Sequence, residues 1–294
     1  MIQKILITGA NGLLGKQMCQ QLTSLGHEVF GLVHGEVAEP VKGVQYLQLD
    51  LATYWHYNQL PASVDVLMHL AQSANYRDFP FNALDVFRVN LESTARLLDY
   101  AHGSGVKKFI YASSGGVYGN GMNAFHENAP IVTPGKLGYY LGSKASSEIL
   151  VHSYAAVFQV IILRPFFMYG AGQKPGMLIP RLMNSIANEF PITLQGEKGI
   201  RINPVHVADA TKAVSACLQL TESATFNIAG PEVLSILDIC ELMGHFVGKP
   251  VRYTAAVGEP QDLVADIKAM QSTLHTPKIQ LHEKLSEVYA CLKN

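Results

Sequence analysis

The chain has 294 residues, 48% apolar and 15% charged, with a formal net charge of −1. This composition belongs to a globular protein with a sizeable core, and the length suits one large domain with a smaller lobe. Near-zero charge without a basic block argues against a nucleic-acid partner, and no apolar run reaches the roughly 18 residues of a membrane span.

The first nine residues lack the layout of a signal peptide, so a cytoplasmic location is expected. Cys19, Cys217, Cys240 and Cys291 lie far apart without a C-x-x-C pair, and the eleven His residues show no metal-ligand spacing. Four reduced, mostly buried thiols and no metal site are expected.

Apolar runs at 2–7, 28–33, 44–49, 64–70, 108–112 and 160–163 are rich in Val, Ile and Leu and do not strictly alternate. That pattern marks strands covered on both faces of a parallel sheet. The segments between them, such as 12–25, 86–103 and 140–158, are long enough for helices. Repeated βα units predict an α/β fold, a doubly wound parallel sheet of the Rossmann type.

Between the first strand and its helix stands Thr8-Gly9-Ala10-Asn11-Gly12-Leu13-Leu14-Gly15, glycines spaced G-x-x-G-x-x-G. Residues without Cβ let the backbone turn tightly and approach a pyrophosphate, and the helix start offers unpaired N–H groups. The second strand ends Leu32-Val33-His34-Gly35, with neither the acid that usually holds a ribose 2′-OH nor an Arg for a 2′-phosphate. NAD and NADP therefore both remain open. Asp50 closes the third strand, placed to accept from an adenine amino group or to cap the following turn.

Asn90 sits inside a predicted helix, where Asn is a poor choice, and has either a polar task or a local bond. The strand at 108–112 runs into Ser113-Ser114, and C-terminal strand ends carry the site in such sheets. Ser114 is the candidate to bond a substrate oxygen, ahead of Ser113. Tyr140 and Lys144, four apart at the start of a predicted helix, share one face. The ammonium is expected to lower the phenol's pKa, making Tyr140 a general acid/base for alcohol–ketone interconversion. The spacing alone is common; the glycine loop and the strand-end serines give it weight.

Beyond Arg164, Pro165, Gly170, Gly172, Pro175, Gly176 and Pro180 interrupt the pattern, a helix is predicted near 178–189 and a short strand near 226–230. Residues 1–168 are expected to form the dinucleotide-binding domain, the chain returning to it at about 204–230. Residues 169–203 and 231–294 would form a mainly helical substrate lobe.

Together these motifs resemble an extended short-chain dehydrogenase/reductase of the NAD-dependent epimerase/dehydratase group, whose members modify nucleotide sugars. The match includes the glycine loop, Asp50-Leu51, His69-Leu70-Ala71, Val89-Asn90, Ser113-Ser114 with Val117-Tyr118-Gly119, Tyr140 with Lys144, Leu163-Arg164-Pro165, His206-Val207-Ala208-Asp209 and Asn227-Ile228-Ala229-Gly230. The resemblance implies that Gly9, Asn11, Gly12, Leu13 and Leu14 hold the pyrophosphate and Asp50 with Leu51 the adenine. Leu70, Ala71 and Gln72 would line the cofactor's path, with Asn90 assigned to the same site. Lys144 would also bond the nicotinamide ribose, and Phe166 would lie near the nicotinamide. Tyr140, Lys144 and Ser114 would be catalytic.

Departures narrow the reading. Ser114-Gly115-Gly116 stands where family dehydratases carry an acidic pair, which disfavours elimination. Phe167 replaces an Asn used by many members to hold substrate, and Arg201-Ile202-Asn203-Pro204 shifts an Arg by one place. The expected function is a sugar-nucleotide epimerase acting by transient oxidation of a C–OH with NAD or NADP, NAD preferred. The alternatives are an NAD(P)H-dependent ketoreductase of a keto-sugar nucleotide or related carbonyl compound, and a non-catalytic NAD(P)-sensing protein. A homodimer through the helices at 86–103 and 140–158 is a further implication.

Overall fold

The computed structural model describes residues 1–132, 137–258 and 261–292. In chain order the strands and helices begin β1 (Lys4–Thr8), α1 (Leu13–Ser24), β2 (Glu28–Val33), β3 (Val44–Gln48), β4 (Val66–His69), α2 (Ala83–Phe87), α3 (Ser93–Gly103), β5 (Lys108–Ala112), α4 (Gly138–Ser153) and β6 (Gln159–Pro165). They continue with α5 (Leu178–Ala187), β7 (Ile192–Gln195), β8 (Arg201–Ile202), α6 (Val207–Ala216), β9 (Ala224–Ile228), β10 (Leu234–Ser235), α7 (Ile236–Val247), β11 (Tyr253–Ala256), α8 (Lys268–Thr273) and α9 (Leu285–Ala290).

Seven strands form one sheet in the order β3-β2-β1-β4-β5-β6-β9. The pairings from β3 across to β6 are all parallel. The order steps outward from β1 in both directions, so the chain reverses between β1 and β4, where open α/β sheets place their ligand crevice. Strands β1, β4 and β5 are buried almost completely, as their unbroken apolar runs require.

The described chain divides into two units. The first comprises Met1–Val117, Pro130–Arg164 and Val214–Phe226; the second comprises Tyr118–Ala129, Pro165–Ala213 and Asn227–Asn294. Tyr118–Ala129, inside the expected first domain, thus groups with the second unit. A core of the first unit joins Leu6, Leu67, Phe109 and Ile162 of the sheet to Leu97, Leu98 and Val151 of α3 and α4. In the second unit α5 and α7 bury Ile179, Met183, Ile239 and Met243 around Tyr169.

The predicted helix at 86–103 is not one regular helix. Between α2 and α3, Arg88–Glu92 makes a π-helical turn. Lys108, at the start of a strand that otherwise reads as core, is also buried. Its Nζ donates to the carbonyls of Cys217, Leu218 and Leu220 at 2.8, 2.6 and 2.9 Å, supplying a cation to the carbonyls of the turn that follows α6. Cys19, Cys217 and Cys240 are buried free thiols and Cys291 is partly exposed. Among the described residues, no helix is long and apolar enough to cross a membrane and no cluster of metal-ligating side chains occurs.

Candidate active site

The glycine loop turns on Gly9, whose φ of 68° lies in the left-handed region. A Cβ there would stand 2.9 Å from the Ala71 Cα, and one on Gly15 would overlap the Gly9 carbonyl oxygen. The loop is closed by Gly12 N–H donating to the Gly9 carbonyl at 2.9 Å. Gly12 is the N-cap of α1, with no side-chain cap and no acidic residue in the first turn. Among the described residues no side chain bonds the leading N–H groups at Leu13 and Leu14, and Asn11 and Gly12 are exposed. An uncapped helix start behind a close-packed glycine turn fits a pyrophosphate. The Leu14 side chain itself belongs to the core.

At the far end of the sheet the Asp50 carboxylate accepts from the Ala52 N–H at 2.8 Å and lies 3.6 Å from His34 Nε2. The turn-capping alternative for Asp50 is thus present in the structure. Leu51 is buried beside it. Lys16 at this end is engaged by Glu39 at 2.6 Å.

Tyr140, Lys144 and Ser147 follow one face of α4, and the structure brings Tyr140 and Lys144 to the C-terminal ends of β4 and β5. Lys144 is 1% exposed; its Nζ donates to the Ala112 carbonyl at 2.8 Å and lies 5.2 Å from the centre of the Tyr111 ring. Burial drives its pKa down to about 7, against an opposing pull from Glu148. The Tyr140 hydroxyl donates to Gln72 Oε1 at 2.8 Å. Its pKa is raised, first by burial and then by the neighbouring Tyr76, with the hydrogen bond to Ser114 acting the other way. This corrects the expectation of a phenol lowered by the ammonium. Desolvation disfavours the charged form of each group, the phenolate of Tyr140 and the ammonium of Lys144.

Ser114 Oγ also accepts from the Gly116 N–H at 3.2 Å, so it both caps the next turn and reaches the phenol. Ser113 is buried, and its hydroxyl has no hydrogen-bond partner among the described residues. Leu70, Ala71 and Gln72 follow β4, with Gln72 exposed. Phe166 belongs to the second unit, where it is buried with Tyr118, Ala229 and Ala265. Phe167, also there, holds a positive φ of 43°, a strained conformation for a residue with a large side chain.

Asn90 is 1% exposed with both ends of its amide engaged. Oδ1 accepts from the Ser73 N–H at 2.9 Å and Nδ2 donates to Ser143 Oγ at 3.0 Å. Its carbonyl, in the π-turn, accepts from Thr94 Oγ1 at 2.6 Å and Ser147 Oγ at 2.8 Å. Asn90 therefore locks the loop after β4 to the helix that carries Tyr140 and Lys144.

Two further groups were not expected from the sequence. Thr8 Oγ1 accepts from the Ala71 N–H at 3.1 Å and shares a hydrogen bond with His69 Nδ1 at 2.7 Å. Thr94 donates to Asn90, which leaves its oxygen to accept from His69 Nε2–H at 3.0 Å. Burial, aided by the charge of Lys144, lowers the ring's pKa to about 3, so the ring is neutral with its proton on Nε2, and Thr8 donates to Nδ1. Below Lys144, Glu148 and Arg164 form a buried two-pronged pair, with Nε to Oε1 at 3.0 Å and an outer nitrogen to Oε2 at 2.7 Å. Glu148 is four residues beyond Lys144, a spacing that would have revealed it.

Residues 5–229 match the model of the NAD dependent epimerase/dehydratase family. An uncharacterized UDP-glucose epimerase of Bacillus subtilis is 28% identical, covering 99% of this chain and 98% of its own. The UDP-glucuronate 4-epimerase of Thermodesulfobacterium geofontis is 25% identical, covering 95% and 93%. Among solved structures, the UDP-glucuronic acid 4-epimerase of Bacillus cereus, in complex with UDP-glucuronic acid and NAD, superposes with a TM-score of 0.86 at 27% identity, covering 99% of both chains. The glycine turn, the strand-end serines, the Tyr140–Lys144 helix and a match over most of the chain agree: this protein belongs to the NAD dependent epimerase/dehydratase family, as an enzyme of the extended short-chain dehydrogenase/reductase type.

Proposed function

We propose that this enzyme epimerises a nucleotide sugar through transient oxidation of a C–OH, with Tyr140 as acid/base. The observation that carries this reading is the Tyr140 hydroxyl at the strand ends, on one helix face with a buried Lys144 and in reach of Ser114. The relatives named for UDP-sugar epimerisation support the substrate class. When bound, the nicotinamide cofactor supplies the removal and return of hydride at carbon. The residues of the chain would do the rest: Tyr140, as phenolate once its own proton has passed to solvent, would take the hydroxyl proton and return it, Ser114 would bond the same oxygen, and Lys144 would offset the phenolate charge. Gly9, Gly12 and the N–H groups of Leu13 and Leu14 hold the pyrophosphate.

NAD is the preferred cofactor in this reading. The side chains of His34, after β2, and Lys16, in the first turn of α1, already face Asp50 and Glu39, so a 2′-phosphate there would meet carboxylates as well. Calorimetric titration should show tighter binding of NAD than of NADP; the reverse order would overturn this preference. We place the enzyme in the cytoplasm, whose reducing poise suits four free thiols.

The phenol rests protonated and donating, the form needed to deliver a proton to a ketone oxygen, which keeps a ketoreductase as the second reading. Incubation with UDP-glucose or UDP-glucuronic acid should yield the 4-epimer by NMR, without net change in reduced cofactor. Stoichiometric consumption of NAD(P)H with a keto-sugar nucleotide, and no epimer, would favour the reductase. Tyr140→Phe should lower turnover by roughly 10²–10⁴-fold while NAD binding persists. Unchanged turnover would remove Tyr140 from its role.

A further inference from the structure

Gln72 has been assigned here only to the cofactor's path, yet its amide is the group bonded to the catalytic phenol. The 2.8 Å contact runs from the Tyr140 hydroxyl to Gln72 Oε1, so the amide accepts. Nothing about this contact is left to chance in the backbone. Ala71 before it is tied by its N–H to Thr8 Oγ1, and Ser73 after it by its N–H to Asn90 Oδ1. Ser73 and Asn75 are tied in turn to Asp85 of α2. On the other side, Asn90 Nδ2 holds Ser143, next to Lys144. One buried side chain thus sets both partners of the Tyr140–Gln72 bond. The Tyr76 ring, 4.8 Å from that of Tyr140, closes over the phenol.

We propose that Gln72 is a positioning residue that holds the Tyr140 phenol in its protonated form until a substrate oxygen takes its place. An acceptor on a phenol can bond only the neutral species, since the phenolate has no proton to give. A keto oxygen that is to receive the phenol's proton takes the place where the amide oxygen now stands; for the reverse step the phenol must first release its proton to solvent and then accept that of a C–OH at the same place. Breaking the Gln72 bond is therefore part of substrate entry, and the freed amide can then donate to or accept from a substrate hydroxyl. The ionisable groups that act on the phenol are Tyr76 and Tyr111, with Lys144 one turn along the same face of α4. A series at position 72 leaves all of these unchanged.

This inference rests on the acid/base reading of Tyr140, and its test separates the two. Tyrosinate absorbance of the NAD-loaded enzyme is titrated for the parent, Gln72→Met and Gln72→Glu, each minus its own Tyr140→Phe background. Loss of one neutral acceptor, a net effect of about 0.5–1.5 kcal/mol, should lower the phenol's titration in Gln72→Met by roughly half to one pH unit. Gln72→Glu, which adds charge and keeps the acceptor, should raise it. No change, or the opposite order, overturns the proposal, the opposite order because the amide nitrogen would then be facing the oxygen. Gln72→Glu keeps size and polarity, so it serves if the Met variant fails to fold. The pH profile of kcat/KM should move with the titration. If the titration moves and the profile does not, Gln72 still positions Tyr140, and the catalytic reading of the tyrosine is what fails.

Discussion

At the residue scale, the central pair shows how burial overrides spacing. Tyr140 and Lys144 are four apart on a helix, which is enough to infer that they share a face. Their proton affinities depend instead on how much water reaches them, and both neutral forms gain. Lys144 carries a stability consequence. Its pKa is lowered in the fold to about 7 from an ordinary 10.5, so between these values the unfolded chain binds the extra proton. Stability therefore rises with pH through that window, with a slope approaching about 1.4 kcal/mol per pH unit for the full proton. Urea unfolding of the cofactor-free protein at neutral and mildly alkaline pH checks this: the stability of the parent relative to Lys144→Met should increase with pH. A difference independent of pH would mean that Lys144 remains charged in the fold. His69 is another neutral buried base, but its tautomer follows from its neighbours: Thr8 must donate to it and Thr94 must accept from it. No reading of His69-Leu70-Ala71 as a string supplies that direction.

At the element scale, the glycine loop was legible because chain connectivity and spacing define it: strand, three glycines, helix. The structure adds which glycine has no room. Gly15→Ala would press a methyl into the Gly9 carbonyl, so the helix start must move away from the turn. A loss of about 1–3 kcal/mol in unfolding free energy is expected, with weakened NAD binding by calorimetry. Stability and NAD affinity equal to the parent's would contradict the close packing. The segment at 86–103 is long enough for one helix, and its length is what predicts one. The π-turn at Arg88–Glu92 inserts a wider turn that turns the Asn90 carbonyl toward hydroxyls of α3 and α4. Its local sequence signal was limited to one Asn in an unfavourable place. Lys108 is the converse case, a charged residue at the start of a buried strand whose three carbonyl partners lie more than 100 residues away.

At the scale of the whole molecule, the sheet order puts the glycine turn after β1, Gln72 after β4 and Ser114 after β5 at neighbouring strand ends, because β1, β4 and β5 are adjacent. Three distant stretches of sequence thereby meet without any local instruction. The helices beside the site also present apolar side chains outward: Leu84 and Phe87 of α2 and Ile149 of α4 are exposed. The proposed homodimer would cover them. Light scattering after gel filtration should give a dimer for the parent and a monomer for Leu84→Glu combined with Ile149→Glu. A parent that is monomeric at all concentrations would remove the dimer from the model.

The sequence by itself determined the fold class, the glycine loop and the pairing of Tyr140 with Lys144, since each rests on short-range periodicity or on the chemistry of a few adjacent residues. Tertiary structure decided how those groups behave. It made Asn90 a fastener rather than a lone polar residue in a helix, joined Glu148 to Arg164 beneath the lysine, and gave the Tyr140 proton to Gln72. Desolvation and long-range hydrogen bonding arise only when remote segments exclude water together, and no periodicity in the chain records them.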